Sequence, residues 1–393
     1  MKFKLAPLAR PLILCAATVS SPAFSQSSVT LYGNVDEAIV YANNQNGHSN
    51  VYMRQGNLYA SKFGLKGTEV LSPTLRAIFD LQQGFDPGTG AEQTPGLAFN
   101  RYAYVGLQDT QIGTLTMGRQ YTPYYLLMGV LGPVTYLTGA TGAHPADIDG
   151  FDTDIRANNS VTYASPAIYG IRGSVQYGFG GVPGSVQSGS LISAALRYDG
   201  GPLAAGVGYI RMYNTGNVEG SFDPNASAQF SHSVVNNGYL SARVVQHLAA
   251  AANYTLGNIV FGLNYSNVIY QPDGHSLFSD TAVFNTYGAL VSYKASTRVD
   301  LAAGYSFTHA SSANGIDDAA RYQQVSLKEL YHLSQRTTLY ALQAFQHASG
   351  HTLGIGGSGD IIDARPAVGD SQNTTPSSTP NQFVAMFGLA IAF

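Results

Sequence analysis

Charge is scarce in this chain, cysteine is nearly absent, and no long apolar run follows its first 25 residues. Asp, Glu, Lys and Arg make up 11% of the 393 residues, against about 25% in ordinary soluble domains. With 45% hydrophobic residues, 44 Gly and 26 Tyr, a large surface is being covered without charge. The lack of a run of about 18 apolar residues excludes helical membrane spans beyond the N-terminus. Cys15 is the single cysteine, so the rest of the chain has no disulfide framework and no Cys-based metal site. Net charge is −3. Without Lys2, Lys4 and Arg10 the balance is 17 basic to 23 acidic residues, or −6, and no basic stretch is left to neutralise nucleic acid.

Catalytic and metal motifs are missing as well. No Ser sits in a Gly-x-Ser-x-Gly turn. The His residues are scattered; only His347 and His351 are four apart, in a Gly/Ser loop without a carboxylate partner, so neither a metal nor a cofactor is expected. Gly178-Phe179-Gly180-Gly181 and the glycines from 354 to 359 join no strand to a helix and do not read as phosphate cradles.

What is present begins with a leader. Lys2, Lys4 and Arg10 precede the apolar run 11–19, and Ala23-Phe24-Ser25 follows with small residues at alternate positions. This is the layout of a secretory signal peptide, residues 1–25, cleaved before Gln26. Bulky Leu14 before Cys15 argues against a lipoprotein site.

The remaining residues, 26–393, read as strands of period two. At the C-terminus Phe383, Ala385, Phe387, Leu389, Ile391 and Phe393 alternate with Val384, Met386, Gly388, Ala390 and Ala392, a length suited to crossing a bilayer at a tilt. An aromatic strand at a chain end invites aggregation unless it is paired, and closure onto the first strand pairs it. Ile171, Val175, Tyr177 and Phe179 oppose Arg172, Ser174 and Gln176; Val161 and Tyr163 oppose Asn158, Ser160 and Thr162. The segments 286–294 and 299–308 form a hairpin of the same kind. Long polar stretches at 42–50, 86–97, 122–155, 180–189, 214–236, 271–282, 309–320 and 348–381 alternate with seven short turns, joining sixteen strands from 28–41 to 382–393. Composition, alternation and this asymmetry predict an all-β, 16-stranded antiparallel transmembrane β-barrel. Four charges break the alternation: Arg101, Arg119, Glu37 and Glu329 share parity with apolar neighbours, and a rim position, a subunit contact or a β-bulge would each account for them.

Several segments carry a resemblance. Ser28-Val29-Thr30-Leu31-Tyr32-Gly33 with Asp36, Ser61-Lys62-Phe63-Gly64-Leu65-Lys66-Gly67 with Glu69, the segment 77–85, Asn100-Arg101-Tyr102-Ala103-Tyr104-Val105-Gly106-Leu107, Gly113 to Tyr121, the segment 156–163 and the terminal Phe393 run in order along the chain. Together they resemble the trimeric general diffusion porins of Gram-negative outer membranes, in their betaproteobacterial form. The resemblance implies a homotrimer among outer-membrane lipid and lipopolysaccharide, passing ions and small hydrophilic solutes, with the third long loop, 122–155, folded into the lumen. It implies a basic constriction wall at Arg54, Arg101, Arg119 and Arg156, with Lys62, Lys66 and Arg76 as further candidates. Facing it would stand loop carboxylates from among Asp147, Asp149, Asp152 and Asp154. Phe393 would be read by the barrel assembly machinery. Glu37 and Glu329 depart from the family pattern, which has small or apolar residues there.

Opposed guanidinium and carboxylate rows set up a transverse field that orients polar solutes in a narrow aqueous path, and no covalent step is needed. The alternatives are a substrate-specific channel, a barrel enzyme such as a lipase, and an adhesive or structural barrel. Ion preference stays open, because a −6 chain favours cations in the vestibule while clustered Arg favours anions at the narrowest point.

Overall fold

The computed structural model describes residues 28–152, 155–214, 233–370 and 375–393, so the expected leader and Asp154 lie outside the described residues. Strand β1 (Ser28–Gln45) is followed by β2 in two pieces (His48–Gln55 and Lys62–Val70), β3 (Leu75–Gly84), β4 (Tyr102–Asp109), β5 (Gly113–Tyr121) and β6 (Arg156–Ala164). Next come β7 (Ile171–Gly178), β8 (Leu191–Gly200), β9 (Leu203–Tyr213), β10 (Val244–Leu256) and β11 (Ile259–Gln271). The circuit ends with β12 (Ala282–Lys294), β13 (Val299–Ala310), β14 (Arg321–His332), β15 (Thr337–Ser349) and β16 (Asn381–Ala392). Each strand pairs antiparallel with the next, and β16 pairs with β1 from Asn34↔Ala392 to Ala42↔Val384, closing a 16-stranded barrel. Closure joins the two edges that an open sheet would expose.

The period of two sets the two faces. Phe387 is 62% exposed on the outside of β16, while Val384, Met386 and Ala390 on alternate positions are buried inside. Ile171 and Val175 likewise point out and Ser174 and Gln176 point in. At the seam, Gly33 and Phe393 exchange backbone N–H···O bonds of 3.0 Å in both directions. A Cβ on Gly33 would lie 2.6 Å from the Phe393 ring.

Three features differ from the sequence reading. The expected loop at 42–50 is a tight hairpin: Asn46 (φ 52°) and Gly47 (φ 97°) make the turn, and strand continues on both sides. Asn-Gly tolerates positive φ at both central residues, which is what a two-residue hairpin needs. Second, β2 is broken at residues 56–61. Third, β5 carries a bulge between Gly118 and Gln120 opposite β6, which turns Arg119 inward although it shares parity with exposed Met117.

The third loop is built from short turns of helix: α1 (Pro123–Met128), a 3-10 turn (Gly129–Leu131), α2 (Pro133–Tyr136) and α3 (Gly139–Gly142). The Thr122 hydroxyl caps α1 by accepting from the Tyr125 amide at 3.3 Å, and Pro123 occupies the first helical position. The apolar face of α1 buries Tyr124 and Met128 in a cluster that includes Ile210 and Val245 of the wall, each worth about 1.5–3 kcal/mol of burial. Glycine on the wall permits the approach, since a Cβ on Gly208 would sit 2.6 Å from Met128 Cγ. From above, Tyr239 and Phe278 of the fifth and sixth loops pack on Tyr270, Phe284 and Tyr322. One side of the barrel is thereby filled, and the open path runs between the third loop and the opposite wall.

Candidate functional site

Between the third loop and the opposite wall lies a cavity of about 270 Å³, the eyelet of the path. One side is residues 55–60 at the break in β2, and the other is the third loop at Thr138 and Gly139. The break is held by Asp36 of β1, whose carboxylate accepts from the Leu58 and Tyr59 amides at 2.6 Å each and from the Tyr340 hydroxyl at 2.5 Å. Tyr340 accepts from Asn57 Nδ2 (3.2 Å), and Arg54 Nε donates to Asn57 Oδ1 (2.8 Å). Arg54 Nη2 reaches the Ala140 carbonyl at 3.4 Å. The chain of bonds therefore runs from the seam strand to the tip of the third loop.

Among the described residues, five charged side chains line the eyelet: Lys62, Arg101 and Lys328 from the barrel side, Asp152 from the third loop and Asp370 from the last loop. Arg101 precedes β4 and so escapes its alternation, leaving Tyr102 and Tyr104 on the lumen face and Val105 and Leu107 on the lipid face. Arg101 is 1% exposed, with Nε on Gln93 Oε1 (3.1 Å) and Nη1 on the Tyr121 hydroxyl (2.8 Å). Asp152 lies against Gly139, and its amide donates to Asp147 Oδ1 at 3.0 Å.

The other expected site residues lie off this lining, Arg119, Arg156, Asp147 and Asp149 buried behind it and Lys66 and Arg76 exposed farther along the wall. Arg156 is 0% exposed, with its guanidinium 5.2 Å above the Tyr121 ring. Arg119 donates to the Asn100 carbonyl at 2.7 Å and to Asn158. Lys66 sits 5.1 Å over the Tyr32 ring, and Arg76 pairs in register with Gln108 towards the short-turn rim. Asp147 is buried and organises the loop backbone. Asp149 is buried at the loop's attachment to the wall: His144 Nδ1 lies 2.6 Å from its Oδ2, the Ser266 hydroxyl donates to it, and its carbonyl meets His247 Nδ1 at 2.9 Å.

Burial works against the charge of Asp149, but His144, the Ser266 bond and His247 outweigh it and hold the carboxyl below its usual range. A lowered folded value stabilises the attachment fully above the ordinary carboxylate pKa of about 4, and that contribution is lost as pH falls through the lowered value. Open-channel current noise should accordingly stay constant down to about pH 4 and rise only below it. Asp149→Ala, which strands His144 and Ser266, should be noisy already at neutral pH, at a cost of about 1–3 kcal/mol to the attachment. Quiet current from Asp149→Ala would count against this anchoring role.

Sequence reasoning missed Lys328 and Asp370. Lys328 was accessible through parity, because Gln324 and Ser326 on the same strand also face inward. Asp370 sits in an aperiodic loop and carries no local signal. It reaches the lumen because Gln346 and Gln382 accept from the Ala367 and Val368 amides at 2.7 and 2.8 Å.

A closed barrel with an apolar outer face and a charged, polar eyelet defines a membrane channel. The sequence model of the Gram-negative porin family matches residues 12–351, and the chain belongs to that family. It is 27% identical over 365 residues to an outer membrane porin protein of Bordetella pertussis, covering 84% of this chain and 91% of that one. It is 32% identical over 209 residues to outer membrane porin protein 32 of Delftia acidovorans, covering 50% and 57%. Among solved structures, an anion-selective porin from Comamonas acidovorans superposes with a TM-score of 0.70 at 22% identity, covering 94% and 100%. OmpT of Vibrio cholerae superposes at 0.63 with 15% identity, covering 93% and 98%. The protein is an outer-membrane porin, a channel for passive diffusion of ions and small hydrophilic solutes.

Proposed function

We propose that this porin prefers anions, with its selectivity set at the eyelet by Lys62, Arg101 and Lys328 against Asp152 and Asp370. The observation that carries the reading is the excess of cations among the side chains lining the cavity. Screening over about 8 Å at physiological salt leaves the distant loop charges little influence there. The similar fold of the anion-selective porin from Comamonas acidovorans is in keeping with this sign. Arg156 and Arg119, behind the lining, add to the positive potential, and Arg54 positions the third loop. No step needs a nucleophile or a cofactor, so the chain acts as a channel and not an enzyme.

The same reading includes export by a cleaved leader, residues 1–25, assembly of residues 26–393 as one barrel, and a homotrimer set among lipopolysaccharide. Glu37 lies between Val35 and Ile39 on the outward face of β1, and Glu329 lies between Leu327 and Tyr331 on β14, beside Gln343 Nε2 at 3.1 Å. The second loop already covers Glu37, whose Oε2 is buried with Gly88 beside it; a carboxylate facing hydrocarbon is costly, and a neighbouring subunit would cover Glu329. A planar bilayer separating concentrated from dilute KCl tests the sign. The reversal potential should have the sign of a chloride-preferring pore, and a potassium sign would overturn the reading.

A further inference from the structure

We infer that, among small organic anions, the channel favours aromatic carboxylates, with Tyr102 and Tyr104 as specificity-determining residues; the inference rests on the anion preference proposed above. Most exposed tyrosines of the barrel, such as Tyr287 and Tyr305, stand on its outer face. Tyr102 and Tyr104 do not. Val105 is 57% and Leu107 47% exposed on the lipid side of β4, which leaves the two tyrosines on its lumen side.

Their rings continue a row that starts at the eyelet. Tyr125 lines the cavity itself. Its ring centroid is 5.2 Å from that of Tyr121, which is 4.7 Å from Tyr102 at 88°, and Tyr102 is 5.4 Å from Tyr104 at 86°. Following β4 away from its loop end, the row descends toward the short-turn rim. Tyr121 is the buried link of the row, tilted at 45° to Tyr125; half-buried Tyr102 and Tyr104, edge-to-face, present a ring face and a ring edge to the lumen, the geometry in which a further aromatic ring gains beyond simple burial.

Cations accompany the row. Arg101 is bonded to the Tyr121 hydroxyl at 2.8 Å at the upper end. Lower down, Lys66 and Tyr104 are the two cross-strand neighbours of Asp80. A solute carrying both a ring and a carboxylate can therefore exchange water for a ring contact while its charge moves through the field of buried Arg101 toward the exposed Lys66 ammonium, which offsets the adjacent Asp80 carboxylate. An aliphatic carboxylate meets only the cations, and a neutral aromatic only the rings.

The test compares benzoate with cyclohexanecarboxylate, equal in charge and similar in size, as blockers of chloride current through the full-length porin in planar bilayers. Benzoate should reduce the current saturably at several-fold lower concentration. Tyr102→Leu with Tyr104→Leu should abolish that difference, while Tyr102→Phe with Tyr104→Phe, which keeps the rings, should retain it. Equal block by both acids in the wild type, or an undiminished difference in the Leu variant, would overturn the inference. A potassium-sign reversal potential in the wild type would instead remove the anion reading beneath it, so the two failures are distinguishable.

Discussion

Lys328→Glu combined with Arg101→Gln should turn a chloride-preferring channel into a potassium-preferring one. A unit charge acting at about 7 Å through a water-like medium contributes ~0.6 kcal/mol, close to thermal energy. Removing one such charge changes the occupancy of each ion by about threefold in opposite directions, and so the chloride-to-potassium ratio by roughly sevenfold. The double variant removes the Arg101 charge and reverses that of Lys328, leaving Lys62 against Asp152, Asp370 and the new carboxylate. Arg119→Gln should shift the ratio far less, because Arg119 is bonded to the Asn100 carbonyl and lies off the cavity lining. Reversal potentials for the three proteins in one salt gradient check the order. Equal shifts for the two variants would show that the field is not local to the eyelet.

Gly33→Val should block assembly with little effect on what passes through any barrel that does form. The first and last strands meet where Gly33 and Phe393 exchange two backbone bonds, and the Phe393 ring lies over the glycine. Valine there has to displace both the ring and the neighbouring Lys62 carbonyl. Overpacking of this kind costs about 1–3 kcal/mol, and two lost hydrogen bonds add about 1 kcal/mol each. Deleting Phe393 removes those bonds and should give the same defect. The folded fraction in unheated gel electrophoresis measures it, and wild-type yields from both variants would contradict the seam's role.

Much of this architecture is legible in the sequence, because a barrel wall repeats one simple rule. The alternation in 383–393, 171–179 and 286–308 fixes inside and outside residue by residue, and the boundaries of the third loop at 122–155 follow from the strands on either side. The features that escape are those in which one extra residue or one distant partner decides the geometry. Arg119 turns inward through a bulge, Arg101 through its place just before a strand, and residues 56–61 through the Asp36 carboxylate, 22 positions before Leu58. Asp147 and Asp149 have the same composition and setting as Asp152, but only the folded loop distinguishes a carboxylate bonded within the loop (Asp147) or to the wall (Asp149) from one facing the path. Asp370 depends on glutamines of two other strands.

The central claim is that solutes pass between the broken strand and the third loop, through a positive field. Tyr59 lines that gap and is solvent-exposed, and no cysteine occurs after Cys15, so Tyr59→Cys places a single thiol at the eyelet. With the channel open in a bilayer, an anionic thiol reagent should reduce the current and should react several-fold faster than a cationic reagent of similar size. Modification that leaves the current unchanged, or faster reaction with the cationic reagent, would contradict the account.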